Sequence, residues 1–159
     1  MSQTTSSLQG MVRVAESVMV SRPPAEVFAV LADPAAAARW QQGVDGVRMV
    51  TGGPPGPGSR MSGTREYAGL RLGFTTEITE WDPPRRLAFR SVGAPVRVDG
   101  SQALEAVPGG TRVTATLDLR VGGLGLLRLT DRVADRVAAE LRRDLAALKA
   151  LLEGGAATA

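Results

Sequence analysis

Between Leu126 and Glu153 the chain runs without a proline or glycine, and that stretch limits every fold open to it. At about 100° per residue, Leu127, Thr130, Ala134, Val137, Ala138, Leu141, Leu145, Leu148 and Leu152 fall on one face. Arg128, Arg132, Arg136, Arg143 and Glu153 fall opposite. A helix with so sharp a stripe has to bury one side against another layer. That side is uneven, with alanines (Ala134, Ala138) in the N-terminal half and leucines in the C-terminal half. The small end is where room for a ligand would lie.

Upstream, the pattern changes to alternation. Val12, Val14, Val18 and Val20 share one side with Glu16, and Arg13, Ser17 and Met19 take the other, which predicts a strand. Ser21 as N-cap, with prolines at the first helical positions, then starts a short helix through Glu26, Val27, Phe28, Val30 and Leu31. Asp33-Pro34 ends it, because the residue before a proline avoids the helical region. A second short helix covers 35–40, and strands follow over 44–51, 59–67, 72–81, 86–92, 96–107 and 111–121. Turn signals separate them at 52–58 (GGPPGPG), Ala68-Gly69, Asp82-Pro83-Pro84 and Pro108-Gly109-Gly110. Seven strands, two short helices after the first and one long helix last predict an α+β layer in which an antiparallel sheet wraps the final helix.

The 159 residues read as one domain over 11–153, with a polar, disordered tail over 1–10 and a flexible tail over 154–159. The chain has no cysteine and no histidine, which removes disulfides, thiolate nucleophiles, imidazole bases and the usual zinc and copper ligand sets. No metal and no cofactor is expected. The net charge of +3 is diffuse. On the long helix Asp131 and Asp135 interleave with the arginines, so the cations are compensated and nucleic acid is not an expected partner. No stretch approaches the ~20 apolar residues of a membrane span, and MSQTTSSLQG lacks the basic start and apolar run of a secretion signal, so the expected location is cytoplasmic, without stable membrane insertion. The 52–58 loop carries prolines lacking N–H and runs into a strand, so it is a rigid lip and not a phosphate loop. Gly122, Gly123 and Gly125 lack a parallel βαβ setting and read as a hinge or a close-packing point at the cavity mouth.

Several phrases, AEVFAVLADPAAAARW (25–40), ITEWDPPRRLAFRS (78–91), GGTRVTATLDLR (109–120) and DLAALKALLE (144–153), resemble the START-like, or SRPBCC, superfamily, and within it the polyketide cyclase/dehydrase and lipid-transport group. The resemblance covers residues 12–153. It implies the helix-grip (Bet v 1-like) fold, a bent seven-stranded sheet closing on the C-terminal helix around a deep apolar cavity. It further implies a hydrophobic small-molecule ligand, aromatic polyketide-like or lipid-like. Two readings stay open: a polyketide cyclase or dehydratase, and a non-catalytic module that sequesters or transports a ligand or binds a partner as co-chaperones do. The oligomeric state stays open too.

With a concave face toward the helix, parity sends Val113, Ala115, Leu117 and Leu119 inward on the last strand, Leu72, Phe74, Thr76 and Ile78 on the fourth, and Leu87, Phe89 and Ser91 on the fifth. Four polar residues share inward parity: Glu16, Arg65, Tyr67 and Gln102. Each needs a partner, because an unpaired buried polar group costs about 1–3 kcal/mol. One reading is a polar constellation that orients an oxygenated ligand. The other is an internal Glu16–Arg65 salt bridge, or strand ends reaching water. The family's use of an arginine and hydroxyls to hold carbonyl oxygens makes Arg65 and Tyr67 the candidate catalytic residues. The candidate ligand-binding set is Glu16, Trp40, Phe74, Thr76, Phe89, Gln102, Leu104, Leu117, Ala134, Val137, Ala138 and Leu141.

Overall fold

The structure, a computed structural model, describes residues 11–67, 69–93, 97–120 and 130–154. Strand β1 (Met11–Val20) leads into α1 (Pro24–Leu31), a 3-10 turn (Pro34–Ala36) and the single-turn α2 (Ala37–Trp40). Then come β2 (Val44–Met49), β3 (Arg60–Tyr67), β4 (Leu70–Asp82), β5 (Arg86–Ser91), β6 (Arg97–Val107), β7 (Gly110–Arg120) and α3 (Thr130–Gly154). The strands form one open sheet in the order β1-β7-β6-β5-β4-β3-β2, every pair antiparallel. Helix α3 lies across its inner face, nearest β1, and α2 packs on α3.

The alternation of the sequence survives as register. Val12, Val14, Glu16, Val18 and Val20 stand opposite Leu119, Leu117, Ala115, Val113 and Thr111, so the β1 valines and the inward set of β7 form one surface. The opposite surface is laced with ion pairs and hydroxyl pairs. Arg13 Nε meets Asp118 at 2.7 Å, Arg60 and Arg90 converge on Glu77 at 3.1 and 2.6 Å, and Ser17 meets Thr114 at 2.9 Å. A bulge in β4 between Ile78 and Glu80 lets Trp81 face inward after Ile78, where its ring meets Phe28 edge-on at 5.2 Å. The proline-glycine loop is tied to that strand by the bond from Gly58 N to Ile78 O, 2.8 Å. Two hairpin tips turn on glycines in the left-handed region, Gly69 (φ 82°) and Gly109 (φ 86°).

Several expectations need correction. Ser21 does not cap α1: the N-cap is Pro23, with no side-chain cap, and the Ser21 N–H donates instead to Glu153 Oε2 at 3.1 Å. The second short helix opens as a 3-10 turn from Pro34, because the Asp33 carboxylate accepts from Ala35 N at 3.0 Å and tightens the chain there. Leu72 keeps inward parity but is 50% exposed, since the β3–β4 hairpin runs on past the end of the core. The helical residues expected over 126–129, the glycines Gly122, Gly123 and Gly125, and the tails over 1–10 and 155–159 lie outside the described residues.

Candidate functional site

The concave face divides into a closed part and a half-open part. In the closed part Val20, Val27, Phe28, Ile78, Leu87 and Val113 pack with Leu145 and Leu148 of α3. In the other part Phe74, Thr76, Phe89, Ser91, Val98, Gln102 and Leu117 are inward by register yet only half-buried. Above them Ala134, Val137 and Ala138 are also half-buried, packed on Val12, Val14 and Leu119. Inward side chains at normal packing density would be sealed from water. Here the inward residues of β4 to β7 are less buried than those of the closed part.

A polar cleft of about 320 Å³ opens at the rim, lined by Gln42, Gly43, Arg65, Glu66, Glu140, Arg143 and Asp144. Its centre is Asp144, which is 5% exposed. Asp144 Oδ1 accepts from the Gln42 backbone N–H at 3.1 Å, and Oδ2 accepts from Arg65 Nη2 at 3.4 Å. Arg65 Nη2 also lies 3.8 Å from Glu140, and Arg143 Nη1 donates to Gln42 Oε1 at 3.1 Å. Burial pushes the Asp144 carboxyl above the ordinary aspartate range; the Gln42 bond and Arg65 pull the other way, and Glu140 adds to the rise. Arg65 arrives there because β3 pairs it with Val44 of β2 and Leu72 of β4, two residues along the same face from Gly63. The result is a fixed cation beside a buried carboxyl that gives up its proton less readily than usual, the combination that holds or moves a proton next to an oxygen.

The structure separates two residues that the sequence suggested as a pair. Glu16 binds Arg142 of α3 at 2.9 Å, and Arg65 binds Asp144 and Glu140. No Glu16–Arg65 bridge forms, because β1 and β3 are five strand steps apart, about 24 Å along the sheet at ~4.8 Å per step. Trp40 and Leu104 sit in the closed core, and Leu141 joins both parts of the face. Gln102 stands between Leu87 and Ala115, its Oε1 buried without a hydrogen-bond partner, as is Trp40 Nε1. Tyr67 pairs with Leu70 through the backbone, and its side chain lies outside the described residues. Among the described residues no cluster of carboxylates could hold a metal ion, and no helix is long and apolar enough to cross a membrane.

Asp144, Glu140, Gln42 and Arg143 were not visible as site residues in the sequence. A signal for Asp144 existed: it lies three residues after Leu141 and four before Leu148, inside the apolar stripe of the helix.

Comparison with known proteins follows this architecture. The uncharacterized protein Rv2574 of Mycobacterium tuberculosis is 33% identical over 106 residues, 63% of this chain and 60% of the relative, so the match spans well under two thirds of that protein's length. TTHA0849 from Thermus thermophilus superposes with a TM-score of 0.75 at 19% identity, covering 90% of this chain and 98% of that one. The Zhui aromatase/cyclase from Streptomyces sp. R1128 superposes with a TM-score of 0.69 at 22% identity, covering 92% and 93%. At such identities the two superpositions establish the shared fold. Residues 11–153 match the family model for polyketide cyclase / dehydrase and lipid transport, and the chain belongs to that family.

Proposed function

We propose that this protein binds a hydrophobic, oxygen-bearing small molecule, aromatic polyketide-like or lipid-like, between the sheet and α3. The apolar body of the ligand lies on the half-open concave face, and one of its oxygens meets Arg65 at the rim. One observation carries this reading: inward apolar residues that stay half-buried lead to a cation set beside the buried Asp144. Sites of this kind are mostly apolar, with a few polar groups that fix orientation. The guanidinium supplies a planar fork suited to a carbonyl, enolate or carboxylate oxygen. Native mass spectrometry of protein purified from its producer tests it. Wild-type protein is expected to carry such a compound, and Arg65→Ala, still folded, to bind it at least about tenfold more weakly, which is ~1.4 kcal/mol. Wild-type protein that carries no compound, or an Arg65→Ala variant that carries it equally, would sink the proposal.

A catalytic extension rests on the upward-shifted Asp144 carboxyl 3.4 Å from Arg65. With a ketone oxygen held by Arg65, the Asp144 carboxylate takes a proton from the adjacent carbon. The C–H electrons move into the new C=C bond as the C=O electrons move onto oxygen, and the guanidinium stabilises the enolate oxygen. Asp144→Asn should then keep the retained compound while losing hydrogen–deuterium exchange at that carbon. Exchange at the wild-type rate would leave a carrier and no enzyme.

A further inference from the structure

Two inward phenylalanines of the half-open face lean across onto glycines of the neighbouring strand. Phe89 of β5 stands opposite Gly100 of β6, and Phe74 of β4 stands opposite Gly63 of β3. A Cβ built on Gly100 would meet Phe89 Cζ at 2.3 Å, Cε1 at 2.7 Å and Cε2 at 2.9 Å. The tip of the ring thus occupies the place of the missing side chain. At Gly63 a Cβ would meet Val47 Cγ2 at 2.9 Å, Phe74 Cζ at 3.0 Å and Asp45 O at 3.2 Å, so there the ring tip shares the place with β2. A phenylalanine on a sheet normally stands roughly perpendicular to it. These two are laid down along the strand-to-strand direction, which lowers the floor beneath α3. Neither ring is sealed from solvent.

We infer that Gly100 and Phe89 together set the size limit of the ligand space. The inference rests on the proposed ligand-binding reading. Gly100 is the specificity-determining residue: any side chain there lifts the Phe89 ring off β6 and into the space under the helix. Two residues along the same face, Gln102 has its Oε1 buried without a hydrogen-bond partner. Gly100 is not among the glycines with positive φ, and all three close neighbours of its added Cβ are the far end of one flexible side chain. Alanine therefore fits the backbone, and the ring is what yields.

The test is fluorescence titration with a bulky probe, 1-anilinonaphthalene-8-sulfonate, and a compact hydroxyl-bearing one, 2-naphthol. Gly100→Ala should weaken the bulky probe at least fivefold and the compact one less than twofold. Gly100→Ala/Phe89→Ala should restore the bulky probe to within twofold of wild type, and Phe89→Ala alone should tighten it. Circular dichroism melting identifies any variant that fails to fold. If Gly100→Ala does not fold, Phe89→Ala alone decides, and an unchanged affinity for the bulky probe overturns the inference. Equal affinities of wild type and folded Gly100→Ala for both probes overturn the size limit and leave ligand binding standing. Wild-type protein that binds neither probe removes the ligand space itself, and the size limit with it.

Discussion

The two ends of α3 are held by different means. Toward its C-terminus Leu145 and Leu148 are 2% and 0% exposed, and a ring of polar contacts ties the helix to the start of the fold. Lys149 Nζ donates to Met19 O at 2.8 Å and to Glu153 at 2.7 Å, and Arg22 Nε donates to Leu152 O at 3.1 Å. Thr111 Oγ1 closes the ring by donating to Arg22 O at 2.7 Å. Toward the N-terminus the helix rests on Val12, Val14 and Leu119 through half-buried alanines and Val137, and ion pairs flank it at the surface, Arg136–Glu140 at 3.7 Å and Arg142–Glu16 at 2.9 Å. One end is a clamp and the other a roof. In the proposed ligand-binding reading, a helix held more tightly at its far end spans the ligand space without collapsing into it.

The largest expected effect breaks or upholds this contrast directly. Leu148→Ala removes a fully buried side chain and leaves a cavity, which should cost about 3 kcal/mol. Val137→Ala removes a half-buried one and should cost under about 1 kcal/mol. Chemical denaturation of both variants compares them, and equal losses would mean that the roof is packed as tightly as the clamp.

The two carboxylates Asp144 and Glu153 sharpen the contrast through pH. Asp144 is shifted up by burial, so it binds its proton more tightly folded than unfolded. Its contribution to stability is full below the unfolded value of about 3.9 and is lost as pH rises through the folded value. Glu153 is shifted down by its hydrogen bonds from Lys149 and the Ser21 N–H. Its contribution is present above the unfolded value of about 4.3 and is lost as pH falls through the folded value. Across the carboxylate range, the stability of wild type relative to Asp144→Asn should therefore fall with rising pH, and relative to Glu153→Gln it should rise. Denaturation midpoints between about pH 3 and 7 read both slopes, and slopes of the same sign would contradict the assignment.

Much of the architecture was legible because strand parity and helical periodicity are properties of single segments. The valines of β1, the inward set of β7 and the leucines of α3 could be assigned to faces without knowing which strands were neighbours. The site depended on what single segments do not carry. Glu16 and Arg65 have the same parity, but only strand order reveals that five steps separate them. The Phe89–Gly100 contact is a matter of register between β5 and β6, and nothing within either strand specifies it. Asp144 was obscured for another reason. Charges on an amphipathic helix are usually solvated, and Asp144 reads as one of them although its spacing from Leu141 and Leu148 puts it among the buried residues.

The smallest expected effect concerns Glu16, the polar residue in the row of β1 valines. Its partner Arg142 is 60% exposed and its own side chain 25%, so solvent screens the pair and leaves it well under about 1 kcal/mol. Glu16→Gln keeps the side chain's size and its inward position opposite Ala115 and removes only the charge. Its melting temperature should match wild type within about 1–2 °C, because a few tenths of a kcal/mol shifts a domain of this size by no more than that. A drop of about 5 °C or more, beyond what a screened pair can supply, would show that the Glu16–Arg142 pair fastens the roof as firmly as Lys149 and Arg22 fasten the clamp. The difference between the two ends of α3 would then rest on apolar packing alone.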